Sequence, residues 1–275
     1  MKRYYLVYSL LVLLLSSCNG NGEKEAQAHL EKAIEAFNKG HYNESKLHID
    51  TIRTMYPKAF EARKAGIKLM QQVDLKEQER SIVYLDSMML VKQAEFDSLK
   101  KNFVLEKDKE YQEIGNYLHP TQTIEKNSNR SYLRGQVNEL GEMSITSIYC
   151  AGGSIHHKAV KVIDGDTYAQ TPNSKDSYET TIGGKHIEKA DYKMGDDGGV
   201  IAFIAGNKSN NLKLQFIGDK VYNTTMTSND ITAITKLMDL AKVLSSIEQI
   251  KKEKQEANLK IRFVKKKMEE QSSTK

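Results

Sequence analysis

The adjacent histidines His156-His157 and two acidic clusters are the residues whose types and spacing suggest chemistry. Neighbouring residues on a strand point to opposite faces, so the two imidazoles share a metal only if the chain turns between them. Gly152-Gly153 just upstream offers such a turn, but a surface loop accounts for the pair without a metal. Asp164 and Asp166 flank Gly165, and Asp196-Asp197 precede Gly198-Gly199, both faintly like calcium loops. Neither has the spaced acidic ligands and closing Glu of a helix–loop–helix calcium site, and turn chemistry explains both. The chain carries no Gly-rich phosphate loop, zinc-ligand Cys/His pattern or nucleophile elbow. No catalytic residue, cofactor site or metal site is therefore expected.

Tyr178, Tyr192 and Tyr222, with Ser/Thr/Asn-rich loops around them, suit a contact surface for a protein or glycan. Fourteen Tyr and no Trp speak against a typical carbohydrate platform, where indole stacking is common. Cys150 lies in the strand-like "EMSITSIYC", where a buried, inert thiol is expected.

The other cysteine sits in a different context. Lys2 and Arg3 precede an apolar run from Tyr4 to Leu15, too short to span a bilayer but right for the h-region of a secretory signal. Leu15-Ser16-Ser17-Cys18 then resembles the lipobox of bacterial lipoproteins. That resemblance implies cleavage after residue 17 and a diacylglyceryl group on the Cys18 thiol, usually with acylation of its amine. Two or three acyl chains hold a protein on a membrane where one anchors only marginally. With Cys18 lipidated, Cys150 is the one thiol left and no intramolecular disulfide forms. Asn19, rather than Asp, after the Cys favours the outer membrane by resemblance to lipoprotein sorting. Glu23-Lys24-Glu25 is similar to surface-export signals, displaced by several residues. Losing Lys2 and Arg3 from the 41 basic residues leaves 39 against 36 acidic, a small surplus that points to no nucleic-acid partner.

The elements that must position these residues change character along the chain. Residues 18–25 lack apolar side chains other than Cys18 and read as a lipidated, flexible tether. From Ala26 the period is helical: Leu30, Ala33, Ile34 and Phe37 share a face, and Gly40 ends it. A second stripe runs from Tyr42 through Ser45, Ile49 and Ile52 to Met55, stopped by Pro57. "AFNKGHYNESKLHIDTIRTMYP" is similar to the middle of a tetratricopeptide repeat, with Gly40, Tyr42, Ser45 and Pro57 at matching places. His29 stands where that family has Trp or Tyr, and no second complete repeat follows. A single unit makes no repeat-array groove, so a helical base over 26–74 is expected and peptide binding is a minor option.

Two long helices follow, separated by an insert. Leu75, Gln78, Ile82, Leu85, Met89, Lys92, Phe96, Leu99 and Phe103 form a heptad seam, placing a first arm helix over 75–112. Leu240, Val243, Ile247, Ile250, Lys254, Ala257, Ile261, Val264 and Met268 repeat that spacing in a second arm helix over 228–270. Thr227 and Asp230 form a capping box at its start, and residues 271–275 read as a disordered tail. Paired antiparallel, the seams would make an arm of roughly 40 Å. Of two alignments, the one with Lys254 over Leu85 keeps Lys92 and Lys254 apart. Residues 127–227 break into short β-branched segments: "SYLRGQVN", "EMSITSIYC", "KAVKVI", "TYAQT", "SYETT", "GVIAFIAG" and "LKLQFIG". Asp164-Gly165 is the expected hairpin turn, and "NKSNN" a longer hairpin between the last two.

The expected fold is thus α+β: an N-terminal helical hairpin, a two-helix antiparallel coiled-coil arm, and an antiparallel β sandwich or barrel-like domain inserted between the arm helices. The expected function is a non-enzymatic lipoprotein of the bacterial envelope, at the outer membrane, whose β domain binds a protein or glycan. The alternatives are an assembly subunit docking through its helices and, less favoured, a hydrolase of envelope material, which would need convergent carboxylates or a Ser/His pair. Cys18→Ala is expected to abolish membrane association and block normal signal cleavage. Labelled-palmitate incorporation with detergent fractionation checks this; unchanged labelling of the variant defeats the lipoprotein reading.

Overall fold

The computed structural model describes residues 19–208 and 211–273, so the signal segment and Cys18 lie outside the described residues. The protein is α+β, with six α-helices among the described residues and two antiparallel sheets. It divides into two compact units. One draws on the described residues up to Ser87 and from Lys252 onward; the other is Met88–Lys251.

In the helical unit, α1 (Asn19–Asn38) and α2 (Tyr42–Met55) flank the Gly40 turn, whose φ of 76° is a left-handed helix terminus. Ser45 is fully buried and donates to the Ala33 carbonyl (2.8 Å), so only a small side chain fits there. The expected tether is helical from Asn19. Ala26 is buried, and Glu23 accepts from the backbone N–H of Ala62 at the start of α3 (Phe60–Leu99), which holds the segment in place. From Lys251 to Glu270 the five seam positions, Lys254, Ala257, Ile261, Val264 and Met268, are the only ones not exposed. Lys254 pairs with the Asp86 carboxylate. The helix carrying this second seam, α6 (Ser228–Ser273), continues through most of the stretch expected to be a disordered tail.

The β unit departs from expectation in several places. α3 stops at Leu99 rather than near 112: after a 3-10 turn at Lys100–Asn102, Phe103 becomes extended and opens β1 (Val104–Glu106). Phe96, Leu99 and Phe103 pack against the core of the β unit, so this end of the seam serves that core. β2 (Asn116–Leu118) pairs with β1, so strands begin well before residue 127. A one-turn helix, α4 (Ile124–Asn127), then leads into β3 (Tyr132–Asn138) and β4 (Met143–Ala151). β5 (Ala159–Asp164) and β6 (Thr167–Gln170) form the expected hairpin, but Asp164 pairs with Thr167, so the turn is Gly165-Asp166, with the positive φ at Gly165. β7 (Ser177–Ile182) and β8 (Lys185–Lys193) form another hairpin.

"GVIAFIAG" is not a strand. It folds as α5 (Val200–Gly206), because the Asp197 carboxylate accepts the N–H of Ile201 at 2.7 Å and starts a helix. Gly198 is required beside it: a Cβ there would sit 2.0 Å from the Gln170 carbonyl oxygen. "NKSNN" therefore joins a helix to a strand, and the last hairpin is β9 (Lys213–Ile217) with β10 (Val221–Thr225).

The sheets run β1-β2-β3-β4-β8-β7 and β10-β9-β5-β6, both open, so the unit is not a closed barrel. Leu133, Ile145 and Tyr192 from the first sheet, Val160, Leu214 and Phe216 from the second, α5 and the start of α6 share one core. Thr227 and Asp230 do cap α6: the Thr227 hydroxyl donates to Asp230 Oδ2 (2.7 Å) and receives the Asp230 N–H (3.2 Å). Asp230 also accepts both terminal nitrogens of Arg130 at 2.7 Å, and Gln122 Nε2 at 3.3 Å. Gln122 in turn bonds the backbone of β3 at Leu133 and Gly135. Burial would raise the Asp230 pKa, but Arg130, Thr227 and Gln122 outweigh it and hold the group below its ordinary value. Asp230→Ala strands a half-buried guanidinium and removes the cap, and is expected to cost on the order of 3 kcal/mol. Urea unfolding should show a lowered midpoint at an unchanged m-value.

Candidate functional site

Two places in the β unit concentrate polar chemistry. The first is built on the loop that carries the chain from β4 to β5, from one sheet to the other. Its backbone N–H groups have no strand to pair with, and Glu188 on the inner face of β8 takes them up. Glu188 Oε1 accepts the Ser154 hydroxyl (2.6 Å) and the N–H groups of Ile155 (2.7 Å) and His156 (2.9 Å). Oε2 accepts the His157 N–H (2.7 Å) and its ring Nδ1–H (2.9 Å). With Nδ1 donating, His157 Nε2 is the acceptor for the Ser147 hydroxyl at 2.8 Å, and the Ala190 carbonyl lies 3.3 Å from that same hydroxyl.

Ser147, His157 and Glu188 are thus joined in the order of a hydrolytic triad. The order is there; access is not. Ser147 is 0 % exposed, and the side chains of His157 and Glu188 are 0 % and 2 % exposed. Phe216 stands edge-on to the imidazole at 5.2 Å, and Tyr149 closes another side. A nucleophile must reach its substrate, so in this geometry the relay is a structural brace.

The expected surface loop holds for His156 but not for His157, which the Glu188 network draws into the core. His156 takes a positive φ of 50° and faces solvent beside Glu179, with Nδ1 2.9 Å from a carboxylate oxygen, while His157 is buried. His156, Glu179 and Glu188 bring ligand atoms within 4.8 Å of one another, the one such group among the described residues. Glu188 Oε1 is already committed to three donors, so the cluster is a poor fit for a cation. Asp164 and Asp166 stay at their hairpin, and Asp197 caps α5. These pairs are not brought together.

The second place is a groove of about 380 Å³ on the outer face of the six-stranded sheet. Register builds its floor: Tyr132 pairs with Ile148, Ile148 with Lys189, and Lys189 with Tyr178, a row across β3, β4, β8 and β7. Cys150, Ile187 and Thr180 form the next row, and α4 with Ser128 and Arg130 makes a wall. Three cations line it and no carboxylate does. Arg130 stacks on the Tyr132 ring at 4.3 Å and is spent on Asp230. Arg134 and Lys189 are half-buried and make no ion pair among the described residues, and Arg134 Nε is buried without an acceptor. Of the residues singled out from sequence, Tyr178 and Cys150 meet here, while Tyr192 and Tyr222 belong to the core.

Sequence reasoning passed over Ser147, Glu179, Glu188, Arg134 and Lys189. The legible signal was the alternation His186, Glu188, Ala190, Tyr192 in "KHIEKADYK", which sets a carboxylate among inward-facing residues. Compared with protein-family models, curated proteins and solved structures, the chain matches none.

The brace makes stability depend on acid. Burial alone would raise the Glu188 pKa; the Ser154 hydroxyl and the N–H groups of His157 and Ile155 win and hold it at about 2. Burial lowers the His157 pKa below its ordinary 6.5, against the pull of Glu188. Both folded values are depressed, so both contributions are whole at neutral pH and lost as pH falls. His157 weakens the fold below about 6.5, and Glu188 from about 4.5 down towards 2. Glu188→Gln sets an amide NH2 where a carboxylate oxygen now accepts N–H groups, donor facing donor, and is expected to cost about 3 kcal/mol at neutral pH. The gap from wild type should narrow by pH 3, read from urea midpoints at both pH values.

Proposed function

We propose that this protein is a lipid-anchored lipoprotein of the bacterial outer membrane, held by Cys18, whose β unit is a non-enzymatic binding module. The chain enters and leaves that unit through α3 and α6, which we take to pair antiparallel through their seams. The pattern of exposure along α6 and the Lys254–Asp86 pair support that alignment.

The observation that carries the binding reading is the contrast between the two polar places. The constellation with hydrolytic order is sealed, whereas the outer face of β3, β4, β8 and β7 is open, part apolar and positively charged. Concave, mainly apolar sites with a few aimed polar groups are what ligands use. The assembly reading keeps some support from the helical unit, where Ile67 and Phe263 are exposed beside a groove of about 320 Å³.

A photo-cross-linking residue placed at Tyr178 tests the binding reading in intact cells. It is expected to give a discrete adduct, while the same residue at Tyr168, exposed on the other sheet, gives none. No adduct from Tyr178, or equal adducts from both positions, defeats the reading.

A further inference from the structure

The outer groove of the β unit has a chemistry narrow enough to name its ligand. Its floor is aliphatic at Ile148 and Ile187, with Ile182 exposed at the edge strand and Tyr132 and Tyr178 at the sides. Its charge is one-sided. Arg134 and Lys189 are half-buried on neighbouring rows of the sheet, and their usual partners are absent from the lining. Asp191, on the same face of β8, is engaged by the Thr146 hydroxyl. Arg134 Nε is the one buried side-chain nitrogen or oxygen among the described residues that lacks a hydrogen-bond partner.

A cavity of about 380 Å³ falls within the range of small-molecule sites. The anion must be compact, since Arg130 already forks onto Asp230 and leaves Arg134 and Lys189 to receive it. We propose that this groove binds a medium-chain aliphatic carboxylate, its chain along Ile148, Ile187 and Ile182 and its carboxylate within reach of Arg134 and Lys189. A neutral chain of the same length fills the apolar floor but leaves Arg134 and Lys189 without an anion, so charge sets the specificity. The proposal gives the binding module of the preceding section its ligand class and rests on that reading.

Isothermal titration of the full chain with decanoate and with decanol tests it. Decanoate should bind at one site, with decanol weaker by about tenfold or more. Arg134→Gln combined with Lys189→Gln should bring decanoate down to the level of decanol. Ile182→Glu lies on an exposed edge where folding is not at stake, and should weaken decanoate by setting a charge against its alkyl chain. It keeps the test decisive if the double variant fails to fold. Equal binding of decanoate and decanol, unchanged decanoate affinity in Ile182→Glu, or no decanoate binding overturns the proposal. So does saturable binding of a Glu-rich peptide with decanoate silent. The Tyr178 cross-link separates the two readings: if it forms while decanoate fails, the ligand class is wrong and the binding face stands.

Discussion

A chain that crosses from one sheet to another must leave backbone donors without a strand partner, and Glu188 is this protein's solution. Five hydrogen bonds converge on one carboxylate, three of them from successive backbone N–H groups at Ile155, His156 and His157. A buried carboxylate is costly unless its lone pairs are filled, and here they are. The loop it organises carries the core residue Ile155, and it lets β9 come close. A Cβ at Gly218 would lie 2.1 Å from the Ile155 carbonyl, so the glycine and the carboxylate together set how near the sheets approach. The triad-like order of Ser147, His157 and Glu188 follows from the same need. The imidazole bonds the carboxylate with one nitrogen and satisfies a buried hydroxyl with the other.

Asp230 does for the helix what Glu188 does for the sheets. It caps α6, receives Arg130 and, through Gln122, reaches the backbone of β3. Both carboxylates are nearly inaccessible, and both are held ionised by donors rather than by solvent. The groove reverses that logic. There Arg134 and Lys189 are half-buried and make no ion pair among the described residues, which is the electrostatic difference between a brace and a site.

Local patterns were readable and non-local ones were not. The seam of α6 follows from spacing alone, since the exposure of residues 251–270 matches it position by position. The Thr227–Asp230 cap was equally plain, because it depends on four consecutive residues. "GVIAFIAG" misled because a short apolar run has no period of its own; Asp197 decided it, by offering a helix start to Ile201. α3 was read too long because Phe96, Leu99 and Phe103 keep the heptad spacing while serving the β core. β8 was overlooked with its charged outer face, and the groove went with it, since Arg134, Ile148, Lys189 and Tyr178 meet only through the pairing of four strands.

The helical unit is discontinuous: it takes residues up to Ser87 and again from Lys252. On the ribosome, α1, α2 and the first turns of α3 emerge before the β unit, and the stretch from Lys254 to Met268 emerges after it. Between the two, the whole β unit must be synthesised, and domains tend to fold as they emerge. The middle of the chain therefore matures before its beginning is complete. Until then Asp86, near the end of the first half of the helical unit, waits without Lys254, its later-made partner.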